Sequence, residues 1–351
     1  MKHLQTYRLF ESSTSLTEEQ KEFLDKCTKG SWSLNPKTGK VDVNGDFDCS
    51  REDLRDLKGI AFGNVSENFY CYDNQLQTLE GAPETVGRDF FCFNNQLKTL
   101  EGSPETVGRS FNCHGNQIKT LEGSPQIVEV SFVCSGNNQL TSLEGAPETV
   151  GEDFYCDENN QLTSLKGAPQ TVGGDFYCNN NQLKTLEGAP QSVGESFYCQ
   201  ENNLTDLKGS PETVGRDFVC NHNQIKTLEG APRTVGGDFL CNDNPLTSLK
   251  GAPETAGGDF LCDEFETPNW TVDGKLKILK KGTESVKTLI ATVIPPEVLQ
   301  QQIDENPTGM AVDLKSVWKT LKGTPGYENL KFPPEYSEEA ETLADLADVG
   351  L

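Results

Sequence analysis

The segment Val172-Gly173-Gly174-Asp175-Phe176-Tyr177-Cys178-Asn179-Asn180-Asn181-Gln182-Leu183-Lys184-Thr185-Leu186-Glu187-Gly188-Ala189-Pro190 holds one complete structural unit. Phe176 and Cys178 are two residues apart, the period of a strand, so both side chains face one side. Leu183 and Leu186 continue that apolar column beyond the strand. Gly-Ala-Pro then interrupts regular structure, because proline fixes φ and has no N–H to donate. The outer part of the unit reads as extended chain or turn, with too few residues for a full helix.

The same unit recurs along most of the 351 residues. Cysteines stand at 49, 71, 92, 113, 134, 156, 178, 199, 220, 241 and 262, at intervals of 21 or 22, and each has a phenylalanine two positions earlier. A fixed period of this length is the mark of a solenoid. One unit buries too little apolar surface to offset the entropy of ordering its backbone, so it folds only when stacked on its neighbours. Asn74, Asn95, Asn116, Asn138, Asn160, Asn181, Asn202, Asn223 and Asn244 form a second column just after the strand, where a short amide can satisfy backbone groups. At the 22-residue intervals beginning at Cys134 and Cys156, the extra residue is expected to precede this asparagine and bulge without moving the core.

The pattern Phe-x-Cys-x-x-Asn-x-Leu-x-x-Leu, with a proline four residues on, resembles the short bacterial type of leucine-rich repeat. The resemblance implies a β-dominated solenoid: a right-handed coil with a parallel β-sheet on its concave face, small helical caps, and protein partners. Phe in place of the first strand leucine, and one extra residue between Val and Phe, depart from the family pattern and bear on curvature. The whole chain also resembles repeat proteins of large tailed bacteriophages, in the segment Leu16 to Cys27, in Trp32-Ser-Leu-Asn-Pro-Lys-Thr-Gly39, in the Gly-Ala-Pro repeats and in the ending Asp348-Val-Gly-Leu351. That resemblance implies a phage setting, in the host cytoplasm or in the virion.

The organisation expected is 1–42 as N-terminal tail, capping helix and hairpin, 43–263 as the repeat solenoid, and 264–351 as a helical C-terminal cap with an acidic tail. Residues 16–28 read as a helix, with Thr17 and Gln20 spaced for a capping box. Residues 31–46 alternate as a hairpin that turns at Asn35-Pro-Lys-Thr-Gly39. Together they should cover the first rung.

Formal net charge is −24, and −21 of it lies in residues 41–265. Such a surface repels nucleic acid and anionic membranes and attracts basic proteins. No apolar run reaches membrane-spanning length, and Met1 to Glu11 lacks the apolar stretch of a secretory signal. The expectation is a cytoplasmic protein. Leu9-Phe10-Glu11 resembles the cleavage site of phage prohead proteases, so an alternative is a packaged or structural virion component whose targeting peptide is removed.

No catalytic set can be assembled from three histidines, His3, His114 and His222. The cysteine column reads as buried free thiol packing, neither bridged nor bound to metal, in a reducing compartment. Gly-Gly-Asp-Phe at 173–176, 236–239 and 257–260 resembles a nucleotide-cyclase signature, but it lacks the following Glu and sits in the strand register. Asp42, Asn44, Asp46 and Asp48 have calcium-loop spacing without the central glycine, and read as an exposed strand face. No cofactor, metal, nucleic acid or membrane is expected.

The informative surface is the face opposite the Phe/Cys core. The candidate binding residues there are Tyr70, Tyr72, Phe91, Phe93, His114, Asp153, Tyr155, Asp157, Asp175, Tyr177, Tyr198 and Asp217. Exposed aromatics among carboxylates suit a protein interface. The function expected is a non-catalytic repeat scaffold that engages a host or virion protein through this face.

Overall fold

The computed structural model describes residues 15–246 and 251–261. Both the expected C-terminal cap, 264–351, and the Leu9-Phe10-Glu11 site lie outside the described residues. By backbone contacts the chain divides into two compact units, one running to Gln161 with Gly167–Pro169, the other formed by Leu162–Lys166 and the residues from Gln170 onward.

The first unit begins with α1, Glu18–Cys27. Thr17 and Gln20 form the reciprocal capping box anticipated from their spacing, which satisfies two otherwise unpaired N–H groups. β1 (Thr28–Leu34) and β2 (Val41–Asp48) pair antiparallel, Thr28 opposite Phe47 and Leu34 opposite Val41. The turn between them closes by the Gly39 N–H donating to the Asn35 carbonyl at 2.8 Å. β2 is also the first strand of the repeat array, Phe47 pairing in parallel with Phe69, so the 42/43 boundary falls inside a strand. Phe23 of α1 packs edge-on against Phe47 at 5.8 Å, and Leu24 is fully buried. Helix and hairpin thus cover the first rung.

Each later coil contributes two short strands, and like strands pair in parallel, coil upon coil. In the first unit Phe69-Tyr70 pairs with Phe90-Phe91 and so on to Phe154-Tyr155; in the second, Phe176-Tyr177 pairs with Phe197-Tyr198 and on to Phe260-Leu261. The second ladder is Thr-Val: Thr85-Val86 on Thr106-Val107, and Ser192-Val193 on Thr213-Val214. The described residues therefore form a parallel β-solenoid, with the single helix α1 at its start.

The core is built in columns. Phe69 and Phe90 stack at 5.5 Å and 9°, Phe197 and Phe218 at 5.5 Å and 7°, each ring lying on the next. Among the described residues, the cysteine of each coil and the Leu or Ile residues that follow it are buried beside them. Ten cysteines, Cys27 to Cys220, are free and buried. The expectation of free thiols throughout fails at Cys241, which is disulfide-bonded. The register permits a bridge, because column cysteines one strand spacing apart, about 4.8 Å, stand within the ~4.4–6.8 Å Cα range of a disulfide.

The asparagine column also differs from expectation at two coils. The buried members there are Asn137 and Asn159, three residues after Cys134 and Cys156, while Asn138 and Asn160 are exposed. The extra residue follows the asparagine rather than preceding it. The column side chain must reach the carbonyl of its own coil's cysteine, as Asn137 does at 2.9 Å from Cys134 O and Asn159 at 2.8 Å from Cys156 O. Distance from the cysteine therefore sets the position, and distance to the following leucine does not.

The candidate aromatic and acidic face

Because Phe and Cys point inward, the residues that alternate with them point away from the core, and all of those on the first-unit aromatic patch are half-buried. Tyr70 stacks on Phe91 at 5.1 Å and Tyr72 on Phe93 at 4.4 Å with an interplanar angle of 7°. Within a coil, Tyr70 and Tyr72 lie 6.1 Å apart, as do Phe91 and Phe93. The four rings make a two-by-two block. Its outer end carries Arg51, whose guanidinium carbon is 5.5 Å from the Tyr72 ring centre and whose Nε is 3.1 Å from Asp73 Oδ2. The Tyr70 phenol is raised above its ordinary pKa, first by burial and then by the negative field of Asp89, Asp46 and Asp48.

His114 stands in the next coil, its backbone N–H donating to Asn112 Oδ1 at 2.9 Å. Farther along the first unit, the Tyr155 hydroxyl donates to Asp153 Oδ2 at 3.2 Å, and Asp157 accepts from the Ser135 hydroxyl. In the second unit, Tyr177 and Tyr198 stack at 4.6 Å and 7°, and the Tyr177 hydroxyl donates to Asp175 Oδ2 at 3.0 Å.

The carboxylates of this face have a structural task that sequence reading missed. Asp175 Oδ1 accepts the Ser196 N–H at 2.7 Å, Asp217 Oδ1 the Asp238 N–H at 2.8 Å, and Asp89 Oδ1 the Ser110 N–H at 3.0 Å. Each ties its coil to the next. The signal was available: the residue before every column Phe, from Asp46 to Asp259, is Asp, Asn or Ser, the short side chains that accept backbone N–H groups. Arg51 had no sequence signal, since its partner ring is a whole coil away.

The Asp42, Asn44, Asp46 and Asp48 row lies on the outward side of β2, with Val41, Val43 and Phe47 buried on the other. Asp42 Oδ1 accepts the Asn64 N–H at 2.9 Å and Asp46 Oδ1 the Asn68 N–H at 3.2 Å. These oxygens link strands. Among the described residues, no group of three His, Cys, Asp or Glu is placed to hold a metal ion, and no helix is long and apolar enough to cross a membrane.

The paired parallel ladders, the Phe/Cys/Leu columns and the asparagine column give the described residues the form of a leucine-rich-repeat-like solenoid. No protein-family profile matches the chain, and no curated protein sequence does. Among solved structures it is similar to YopM from Yersinia enterocolitica WA-314, at 17% identity and a TM-score of 0.46, over 69% of this chain and 60% of that one. The chain thus spans less than two thirds of that protein. The likeness is weak, and the class rests on the ladders themselves.

Proposed function

We propose that the chain is a non-catalytic, phage-encoded scaffold that holds a host or virion protein against the aromatic and acidic face of its sheet. The observation that carries this reading is the alignment of rings on the face away from the core, Tyr70, Tyr72, Phe91 and Phe93 in one unit and Tyr177 with Tyr198 in the other. Rigid aromatics bring large contact area at low entropic cost, and the surrounding carboxylates favour a basic partner. The phage setting rests on the sequence resemblance. Ten free thiols among the described residues favour a cytoplasmic location, and the disulfide at Cys241 weighs against it.

The test is capture from host lysate with the parent chain and with a variant carrying Tyr155→Ala, Tyr177→Ala and Tyr198→Ala. The reading expects a partner that the variant no longer retains. An unchanged set of captured proteins would remove this face as the site. A second reading, a virion component trimmed after Glu11, rests on the Leu9-Phe10-Glu11 tripeptide. Mass spectrometry of purified particles decides it: a chain beginning at Ser12 supports it, and absence from particles ends it.

A further inference from the structure

The Thr-Val ladder turns a second face to solvent, and in the first unit one coil breaks its pattern. Thr85 and Thr106 stand in register, and Gly87 and Gly108 follow two residues later on the same side. In the next coil those two positions hold Ile127 and Glu129, with Val128 paired to Val107. Ile127 is 56% exposed, the one large apolar side chain left in solvent among the described residues. It adds little to the core, so packing does not account for it. Glu129 is exposed as well, and its side chain has no hydrogen bond or ion pair.

These two residues close one end of a depression of about 450 Å³. Its floor is backbone at Gly87 and Gly108. A Cβ there would lie 2.0 Å from Ser66 O and 2.2 Å from Gly87 O respectively, so no side chain of this chain can fill it. Ser66 stands at the opposite end from Glu129, three coils or about 14 Å away. Thr106 and Ile127 form part of one side. The matching depression of the second unit, on Gly194, Gly215 and Gly236, is lined by serine and threonine, with neither an exposed apolar side chain nor a carboxylate.

We propose that the first-unit depression seats a lysine side chain from an extended segment of a basic protein, its methylene stem on Ile127 and the glycine floor, its ammonium against Glu129. Lysine lays its stem on apolar surface while its charge stays in contact with water. No aromatic ring lines the depression to stack a guanidinium plane, the feature that would favour arginine. Arg109, one coil away, is 3.9 Å from Asp89. Glu105 and Glu148 precede the column residues of the coils on either side, so the local field is negative. A net charge of −24 disfavours a second copy of the chain as the occupant. The site belongs to the other ladder and stands apart from the aromatic face.

The experiment uses the full chain with labelled isoleucine methyl groups and short Gly/Ser peptides whose central residue is lysine, norleucine or arginine. The Ile127 methyl resonance, assigned by its loss in Ile127→Thr, reports binding. The lysine peptide should bind about threefold tighter than the norleucine peptide at low salt, the scale of an exposed ion pair, and the gap should close as salt rises. Glu129→Gly installs the residue that neighbouring coils carry at that position, so the fold is kept, as circular dichroism checks. That variant should lose the preference for lysine and leave norleucine binding unchanged. An Ile127 methyl that no peptide shifts, a norleucine or arginine peptide that binds as tightly as lysine, or an undiminished preference in Glu129→Gly overturns the proposal. The chain with Tyr155→Ala, Tyr177→Ala and Tyr198→Ala should keep the parent's preference, so the two surfaces fail or succeed separately.

Discussion

Asn116 is the sharpest place to perturb the stacking of coils. Its side chain is 6% exposed and bridges two coils. Nδ2 donates to Cys92 O at 3.1 Å and to Cys113 O at 3.0 Å, and Oδ1 accepts the Leu97 N–H at 3.0 Å. Each cysteine carbonyl has a second amide donor, Asn95 at 3.1 Å for Cys92 and Asn137 at 3.2 Å for Cys113. Asn116→Ala therefore weakens both carbonyls without orphaning them, and orphans only the Leu97 N–H. One unpaired buried donor costs about 1–3 kcal/mol and each lost bond about 0.5–1.5 kcal/mol, so the expected loss is about 3 kcal/mol. Urea unfolding followed by circular dichroism measures it, and hydrogen exchange at the Leu97 amide should accelerate locally. Asn116→Asp sharpens the test. It keeps an oxygen for Leu97 but turns the other toward the two carbonyls, so burial and those oxygens push its carboxyl above the ordinary range. The protonated form is favoured when folded. The variant should therefore come closest to its parent below the unfolded value of about 3.9 and fall behind as pH rises through the folded one. A loss under about 1 kcal/mol for alanine, or a pH-independent cost for aspartate, would refute the bridging argument.

Three further outcomes follow from the geometry. Gly209 has φ +88°, and a Cβ there would lie 2.4 Å from Glu187 N and Leu186 C, so Gly209→Ala should cost about 2 kcal/mol or more of stability in thermal melts. Burial pushes the thiols of Cys49, Cys71, Cys92, Cys113, Cys134, Cys199 and Cys220 up, and that of Cys27 up to about 11. Their folded pKa values exceed the unfolded ones. The stability they contribute is thus intact below about pH 8.5 and declines as pH rises above it, steeply because eight groups act together; unfolding free energies at pH 7, 8, 9 and 10 check this, and a flat profile contradicts it. In the native state these thiols should react with an aromatic disulfide reagent only at the rate of opening, and freely in denaturant. Thr17→Ala removes the Oγ1 acceptor of the Gln20 N–H at 3.2 Å and should cost about 1 kcal/mol, confined to the helix that covers the first rung.

The period, the identity of the core column, the capping box at Thr17 and Gln20, and the Asn35–Gly39 turn were all legible in the residues alone. All of these are local patterns: a side chain two, three or five residues along the chain either shares a face or does not. The tertiary structure alone decided which asparagine is buried in the two longer coils, that the Thr-Val segment pairs into a second ladder, that the Asp column accepts N–H groups from the next coil, and that Arg51 lies on Tyr72. It also placed a disulfide at Cys241 where the column reading expected a free thiol. For the second ladder, the aspartate column and the Arg51–Tyr72 pair, the partner is about twenty-one residues away in sequence and one strand spacing away in space. A repeat announces that its coils stack; only the stacked coordinates say which atoms of neighbouring coils meet.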